Sequence, residues 1–187
     1  MLDRLLQIDV DLFVFLNGLG SEQFDGLWLV ITKQVYWTPF FLFLAYLVYQ
    51  KIGLKQTLYL LLFVAVMITC SDQFTNLVKN SVQRLRPCNN EDIKSIIRIV
   101  QERHSFSYFS GHAANSMAAA TFLFLLLRQY YKYVGFLFLW PLIFAYSRIY
   151  LGLHYPLDIV SGYLVGGIFG FLFFKIYQKY RSKYFAN

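Results

Sequence analysis

A chain of 187 residues has the length of a single domain, but 20% aromatic content and a mean hydropathy of +0.47 leave too little polar surface to cover a soluble fold. The net charge of +7 raises nucleic acid as a partner; the basic residues instead flank apolar runs and no nucleic-acid-binding motif occurs, so that class is set aside. Cys70 lies inside an apolar run and Cys88 outside it, with no CxxC or Cys/His zinc spacing, which excludes a disulfide framework and a structural zinc. An all-α, polytopic transmembrane helical bundle of about five to six membrane helices is expected.

In chain order, Leu2, Leu5, Leu6, Ile8, Leu12, Phe13 and Leu16 recur at mostly helical spacing among Asp3, Arg4, Asp9 and Asp11. This predicts an amphipathic interfacial helix within residues 1–20, ended by Asn17-Gly18. The segment has no basic head, clean apolar stretch and small-residue cleavage site in sequence, so it does not read as a cleavable signal. Spanning segments are expected at about 24–50, kinked near Lys33 and Thr38-Pro39, and at about 56–78, 111–127, 132–150 and 156–175. A polar segment, 79–110, separates the second and third, with a short interfacial helix expected over 91–103 around Ile93, Ile96 and Ile97. Gly162, Gly166 and Gly170 form two overlapping GxxxG steps, a pattern for close helix packing.

Five spans put the 79–110 segment and the 150–156 turn on one membrane face. The other face carries Lys51, Lys55, Arg128, Lys132, Lys175, Lys179, Arg181 and Lys183 with no acid among them. The site face carries Arg4, Lys79, Arg84, Arg86, Lys94, Arg98, Arg103 and Arg148; the counts differ only when Lys79, Arg86 and Arg148 are set aside as site residues. The positive-inside rule then places the C-terminus in the cytoplasm and the 79–110 loop outside.

Three polar clusters share that face. Lys79 and Arg86-Pro87 stand seven residues apart, two helical turns if the helix continues. Phe109-Ser110-Gly111-His112 opens the third span, with Ser110 a natural N-cap whose free N–H groups suit an anion. Ser147-Arg148, His154 and Asp158 flank the last turn. Singly, each has a plain structural explanation: snorkelling anchors, a polar residue at headgroup level, an i,i+4 hydrogen-bonded pair. Together, three fixed cations, a helix N-terminus and two histidines make a site for an oxyanion that undergoes chemistry, and at a membrane surface that oxyanion is a lipid phosphate. Asp72, seven residues before Lys79, is an intramembrane carboxylate equally suited to a structural hydrogen bond or to function. Arg103 and His104 lie where a headgroup would pass.

The order Lys-x6-Arg-Pro, Ser-Gly-His, Ser-Arg-x5-His-x3-Asp over residues 79–158 resembles the signature of the type 2 phosphatidic acid phosphatases, integral-membrane lipid phosphate phosphatases that share their site with vanadium haloperoxidases. It departs from that signature at Phe109, where the family has proline. The resemblance implies that Lys79, Arg86 and Arg148 hold the phosphoryl oxygens and that Ser110 and Gly111 add hydrogen bonds. It implies further that His154 is the nucleophile, Asp158 orients it, and His112 serves as general acid and then base. The expected activity is hydrolysis of a lipid phosphate or diphosphate: undecaprenyl diphosphate, phosphatidylglycerol phosphate, phosphatidate or a lipid A phosphate. No metal or other cofactor is expected, because three cations stabilise the charge that Mg²⁺ stabilises elsewhere. The expected location is the bacterial inner membrane, multi-pass, with the lipid bilayer and its phosphorylated lipid as partners. A phosphotransferase using the same residues and a non-enzymatic anion binder are the alternatives; the second has no use for the His112, His154 and Asp158 set.

Overall fold

The computed structural model describes residues 1–185, and within them all regular structure is helical. Six α-helices follow in order: α1 (Leu2–Gly18), α2 (Asp25–Ile31), α3 (Thr38–Val82), α4 (Gly111–Leu127), α5 (Leu139–Tyr150) and α6 (Pro156–Phe185). Short 3₁₀ turns lie at Glu22–Phe24, Gln34–Trp37, Pro87–Asn89 and Val134–Phe138.

The expected span at 24–50 is not one helix. It breaks after α2, and Thr38-Pro39 starts α3 rather than kinking a continuing helix, because a proline in the first turn gives up only an N–H that has no partner there. The bend within α3 falls at Gly53, in the interval between the expected spans 24–50 and 56–78, with φ of 75° and ψ of 170° that only glycine adopts freely. Residues 41–48 and 57–68 consequently face each other across a cleft, and Val48 and Leu60 share one core. The expected helix over 91–103 is a run of turns. The expected spans 111–127 and 156–175 are α4 and the first two thirds of α6.

α4 and α6 make the most extensive helix pairing. Ala113, Ala114, Ala118 and Ala120 of α4 are fully buried, and Gly162, Gly166 and Gly170 present bare backbone to Ser110, Ala114 and Ala118, one contact per turn. Small residues on both helices allow this approach. Toward the far end of that pair, Met67, Phe122, Leu126, Phe174 and Tyr177 close a core. Around the near end, Phe13, Ala113, Ala145, Ile149, Tyr155 and Ile159 form a second, so α1 is packed against the bundle rather than lying free.

The outer surface is apolar. Val160, Leu164, Ile168 and Leu172 of α6 recur every four residues and stand roughly half exposed, as do Leu58, Leu61 and Leu62 of α3. In water such a stripe would drive association; in a bilayer the acyl chains solvate it. The stretches Gln34–Asn89 and Pro156–Tyr184 are long and apolar enough to cross, and Gly111–Leu127 and Val134–Tyr150 are shorter apolar helices.

Candidate active site

The three clusters converge on a polar cavity of about 570 Å³ at the α4 N-terminus. Lys79, Arg86, Gly111, His112, Arg148 and His154 line it; Ser110 and Asp158, both fully buried, stand behind the wall. Each position has a local cause. α3 ends at Val82 because Gln83 turns into the left-handed region, with φ of 52°. Lys79 is therefore the last-turn residue of the helix and Arg86 belongs to the loop, so the two do not share a helix face as their spacing suggested. They meet in the cavity because the chain folds back. Lys79 Nζ donates to the Phe106 carbonyl at 3.2 Å, and Arg86 Nε donates to the Ser105 carbonyl at 2.7 Å.

Ser110 is the N-cap of α4, as expected: its Oγ accepts from the Ala113 N–H at 3.4 Å. Its own N–H donates to the Asp158 carbonyl at 3.0 Å, which ties the start of α4 to the start of α6. Phe109, where the related signature has proline, is 2% exposed and packs on Phe74 and Tyr108. His112 lies on the Phe144 ring, centroids 4.9 Å apart and planes 22° from parallel, so its orientation is fixed by stacking. Arg148 is buried to 2% exposure, and its Nη1 donates to Thr32 Oγ1. Thr32 sits at the C-terminal end of α2, outside every motif; nothing in the linear pattern marks it.

His154 occupies the turn between α5 and α6. Its Nε2 faces Arg86 Nη1 at 2.9 Å and its Nδ1 faces Asp158 Oδ2 at 3.3 Å. A guanidinium can only donate, so Nε2 is the acceptor and the ring proton belongs on Nδ1, directed at the carboxylate. Burial, followed by the charges of Arg86, Lys79 and Arg148, pushes the His154 imidazole well below its ordinary range, so it is neutral with a lone pair on Nε2. Burial and the nearby Arg103 bring the Arg86 guanidinium down to about 10, still a cation at neutral pH.

Asp72 is at the cavity wall, and its Oδ1 accepts from Asn115 Nδ2 at 2.7 Å. Asn115 and Gln34 also line a second, apolar cavity of about 280 Å³ between the two halves of α3 and helices α4 and α5. The polar and apolar spaces therefore adjoin. Arg103 lines the polar cavity from the loop, and His104 does not.

The PAP2 superfamily pattern matches residues 58–182. A lipid A 4′-phosphatase of Bacteroides thetaiotaomicron is 36% identical over 98% of this chain and 83% of its own length. A lipid A 4′-phosphatase of Porphyromonas gingivalis is 26% identical over 98% of this chain and 78% of its own. In fold, the chain is similar to the crystal structure of a transmembrane PAP2-type phosphatidylglycerolphosphate phosphatase from Bacillus subtilis, with a TM-score of 0.71 over 94% of this chain and 87% of that one at 16% identity.

Proposed function

The chain belongs to the PAP2 superfamily and is a membrane lipid phosphatase, and from that premise we propose that it removes the phosphate of a lipid A-type glycolipid through a phosphohistidine on His154. The observation that carries the chemistry is the neutral His154 Nε2 facing a cavity walled by Lys79, Arg86 and Arg148. The substrate class rests on the likeness to the two lipid A 4′-phosphatases along nearly the whole chain. The apolar space adjoining the polar one suits an acyl chain of a lipid whose phosphate lies among the cations.

In this reading the arriving phosphoryl group draws Arg86 off Nε2 and onto its own oxygens, which uncovers the lone pair. Lys79, Arg86, Arg148 and the Gly111 N–H at the α4 N-terminus hold the equatorial oxygens, and their charge is fixed before the reaction begins. Ser110 acts by capping that helix end. His112 takes up a proton from solvent as the substrate's negative charge arrives; His154 Nε2 then forms a bond to phosphorus as the sugar oxygen leaves from the opposite side with that proton. Asp158 Oδ2 accepts the Nδ1–H and steadies the charge that develops on the ring. His112, now the base, takes a proton from water; water attacks phosphorus, the P–N bond breaks, and its electrons return to Nε2.

The eight cations opposite the site favour an inner-membrane placement with the site facing away from the cytoplasm. Glu91, on the site-side loop and 84% exposed at its side chain, gives a reporter position. A Glu91→Cys protein lacking Cys70 and Cys88 should react with an impermeant thiol reagent in intact cells; labelling only after lysis reverses the orientation. The substrate test is phosphate release by the purified protein from a panel of lipid A, undecaprenyl diphosphate, phosphatidylglycerol phosphate and phosphatidate. Fastest turnover on lipid A is expected, and preference for another member replaces the assignment.

A further inference from the structure

One buried ion cluster beside the site is not among the groups that face the cavity. Arg84 stands between the first-motif cations and faces the other way: its Nη1 donates to Asp158 Oδ1 at 2.9 Å and its Nη2 to Asp9 Oδ2 at 2.7 Å. Asp9 comes from α1; its side chain is 4% exposed, against 18% for Arg84 and 0% for Asp158. The other Asp9 oxygen accepts the Leu157 N–H of the first turn of α6 at 2.7 Å. Asp9 is therefore held at both oxygens, one by Arg84 and one by the helix that carries Asp158.

The consequence is for the Asp158 carboxylate. Oδ1 is taken by Arg84; Oδ2 is left for the Tyr155 N–H at 3.0 Å and for His154 Nδ1 at 3.3 Å. The carboxylate cannot rotate about its terminal bond without breaking the charge-assisted pair to Arg84. Arg84 itself is fixed on three more sides. Its guanidinium lies 3.9 Å over the Tyr155 ring, and its carbonyl accepts from the Ser107 N–H at 2.8 Å and the Ser107 hydroxyl at 3.2 Å. Tyr155 in turn meets Phe13 of α1 edge-on at 5.3 Å.

We propose that Arg84, braced by Asp9 of α1, is a positioning residue for the nucleophile: it locks the Asp158 carboxylate so that Oδ2 keeps the His154 proton on Nδ1 and the lone pair on Nε2. This rests on the reading of His154 as nucleophile. It gives α1, which lies outside the 58–182 family match, a part in the site. Arg84 does not line the cavity, so it acts on the ring and not on the phosphoryl group.

The test is a double-mutant cycle in purified full-length protein. Arg84→Gln should lower kcat about 10- to 100-fold, the scale on which groups behind a functional histidine act. KM and the inhibition constant for inorganic phosphate, an anion that needs no bond to His154, should stay within about threefold. In an Asp158→Asn background the same Arg84→Gln change should cost less than about threefold, because its route to the ring is already cut. Arg84→Lys should recover part of the lost kcat. Asp9→Asn should give the same pattern more weakly, and it carries the test together with Arg84→Lys if Arg84→Gln does not fold. Losses that multiply in the double variant, or that appear in KM and phosphate inhibition, overturn the proposal. His154→Ala separates the two levels: retained activity there removes the nucleophile reading itself, whereas an inert His154→Ala with a multiplicative cycle removes only the role of Arg84.

Discussion

Adding one methyl group at Gly162 should damage the site through the helix pair that builds it. A Cβ there would stand 2.7 Å from the Ser110 carbonyl oxygen and 2.9 Å from Ala113 Cβ, against about 3.4 Å for ordinary contact. The nearest obstacle is backbone and cannot swing aside, so α4 and α6 must separate by about 0.7 Å at this level. That is where Ser110 N–H reaches the Asp158 carbonyl and where α4 presents Gly111 and His112 to the cavity. Overpacking of this kind costs about 1–3 kcal/mol of stability. A misplacement near 1 Å costs on the order of 100-fold in rate, so a loss of roughly tenfold or more in the chemical step is expected. Gly167→Ala is the control, since nothing lies within 4 Å of a Cβ at that position. Single-turnover lipid release and thermal unfolding in the same detergent measure both effects. If Gly162→Ala matches Gly167→Ala in rate and melting temperature, the helix contact does not set the site geometry as argued.

Because Lys79, Arg86 and Arg148 line the cavity as fixed cations, phosphate release should persist in excess EDTA; complete loss, restored by Mg²⁺, would contradict the assignment of charge stabilisation to them. His112→Ala should depress the first step on a lipid monoester more than on a lipid diphosphate, because an alkoxide needs a proton to leave and a lipid monophosphate does not. General acid assistance amounts to about 10²–10⁴-fold, and equal single-turnover losses on the two substrates would take His112 out of the acid role. The depressed His154 pKa carries a stability consequence. The unfolded imidazole binds a proton below its ordinary 6.5 and the buried one does not, so this group's contribution to folding stability is lost progressively as pH falls below 6.5. Thermal unfolding from pH 7 to pH 5 should therefore fall more steeply in the natural protein than in His154→Gln; parallel curves would contradict a neutral buried ring.

The parts of the site that were legible in the sequence are those whose chemistry is tied to a fixed local interval. Ser110 could be read as an N-cap because an oxygen side chain before an apolar helix has one favourable use there. His154 and Asp158 could be read as a pair because an i,i+4 spacing at the start of a helix brings them within reach. Arg86 could be assigned to the cavity but not to its position on the chain, since the two-turn spacing from Lys79 assumed a helix that Gln83 ends. Asp9 was illegible for a related reason: on an amphipathic helix it looks no different from Asp3 and Asp11, and only the arrival of Arg84, 75 positions away, makes its burial tolerable. Thr32 and Asn17 belong to the same class. Asn17 donates to the Arg98, Ile149 and Tyr150 carbonyls and accepts the Arg98 N–H, yet in sequence it resembled an ordinary helix stop. The bend at Gly53 was legible as the break between the expected spans 24–50 and 56–78, because Gln50, Lys51, Lys55 and Gln56 interrupt the apolar run around it.

A phosphohistidine on His154 is a covalent intermediate that rapid quenching can trap. Lipid substrate labelled with ³²P at the scissile phosphate should leave label on the protein within the first turnover. The label should be stable in base and labile in acid, as a phosphoramidate is, and should map to the peptide containing His154. It should be absent from His154→Ala and accumulate in His112→Ala supplied with a lipid diphosphate, whose leaving group needs no acid while breakdown by water is slowed. Turnover at the natural rate with no protein-bound label in either His112 background, or label on any residue other than His154, would contradict the account.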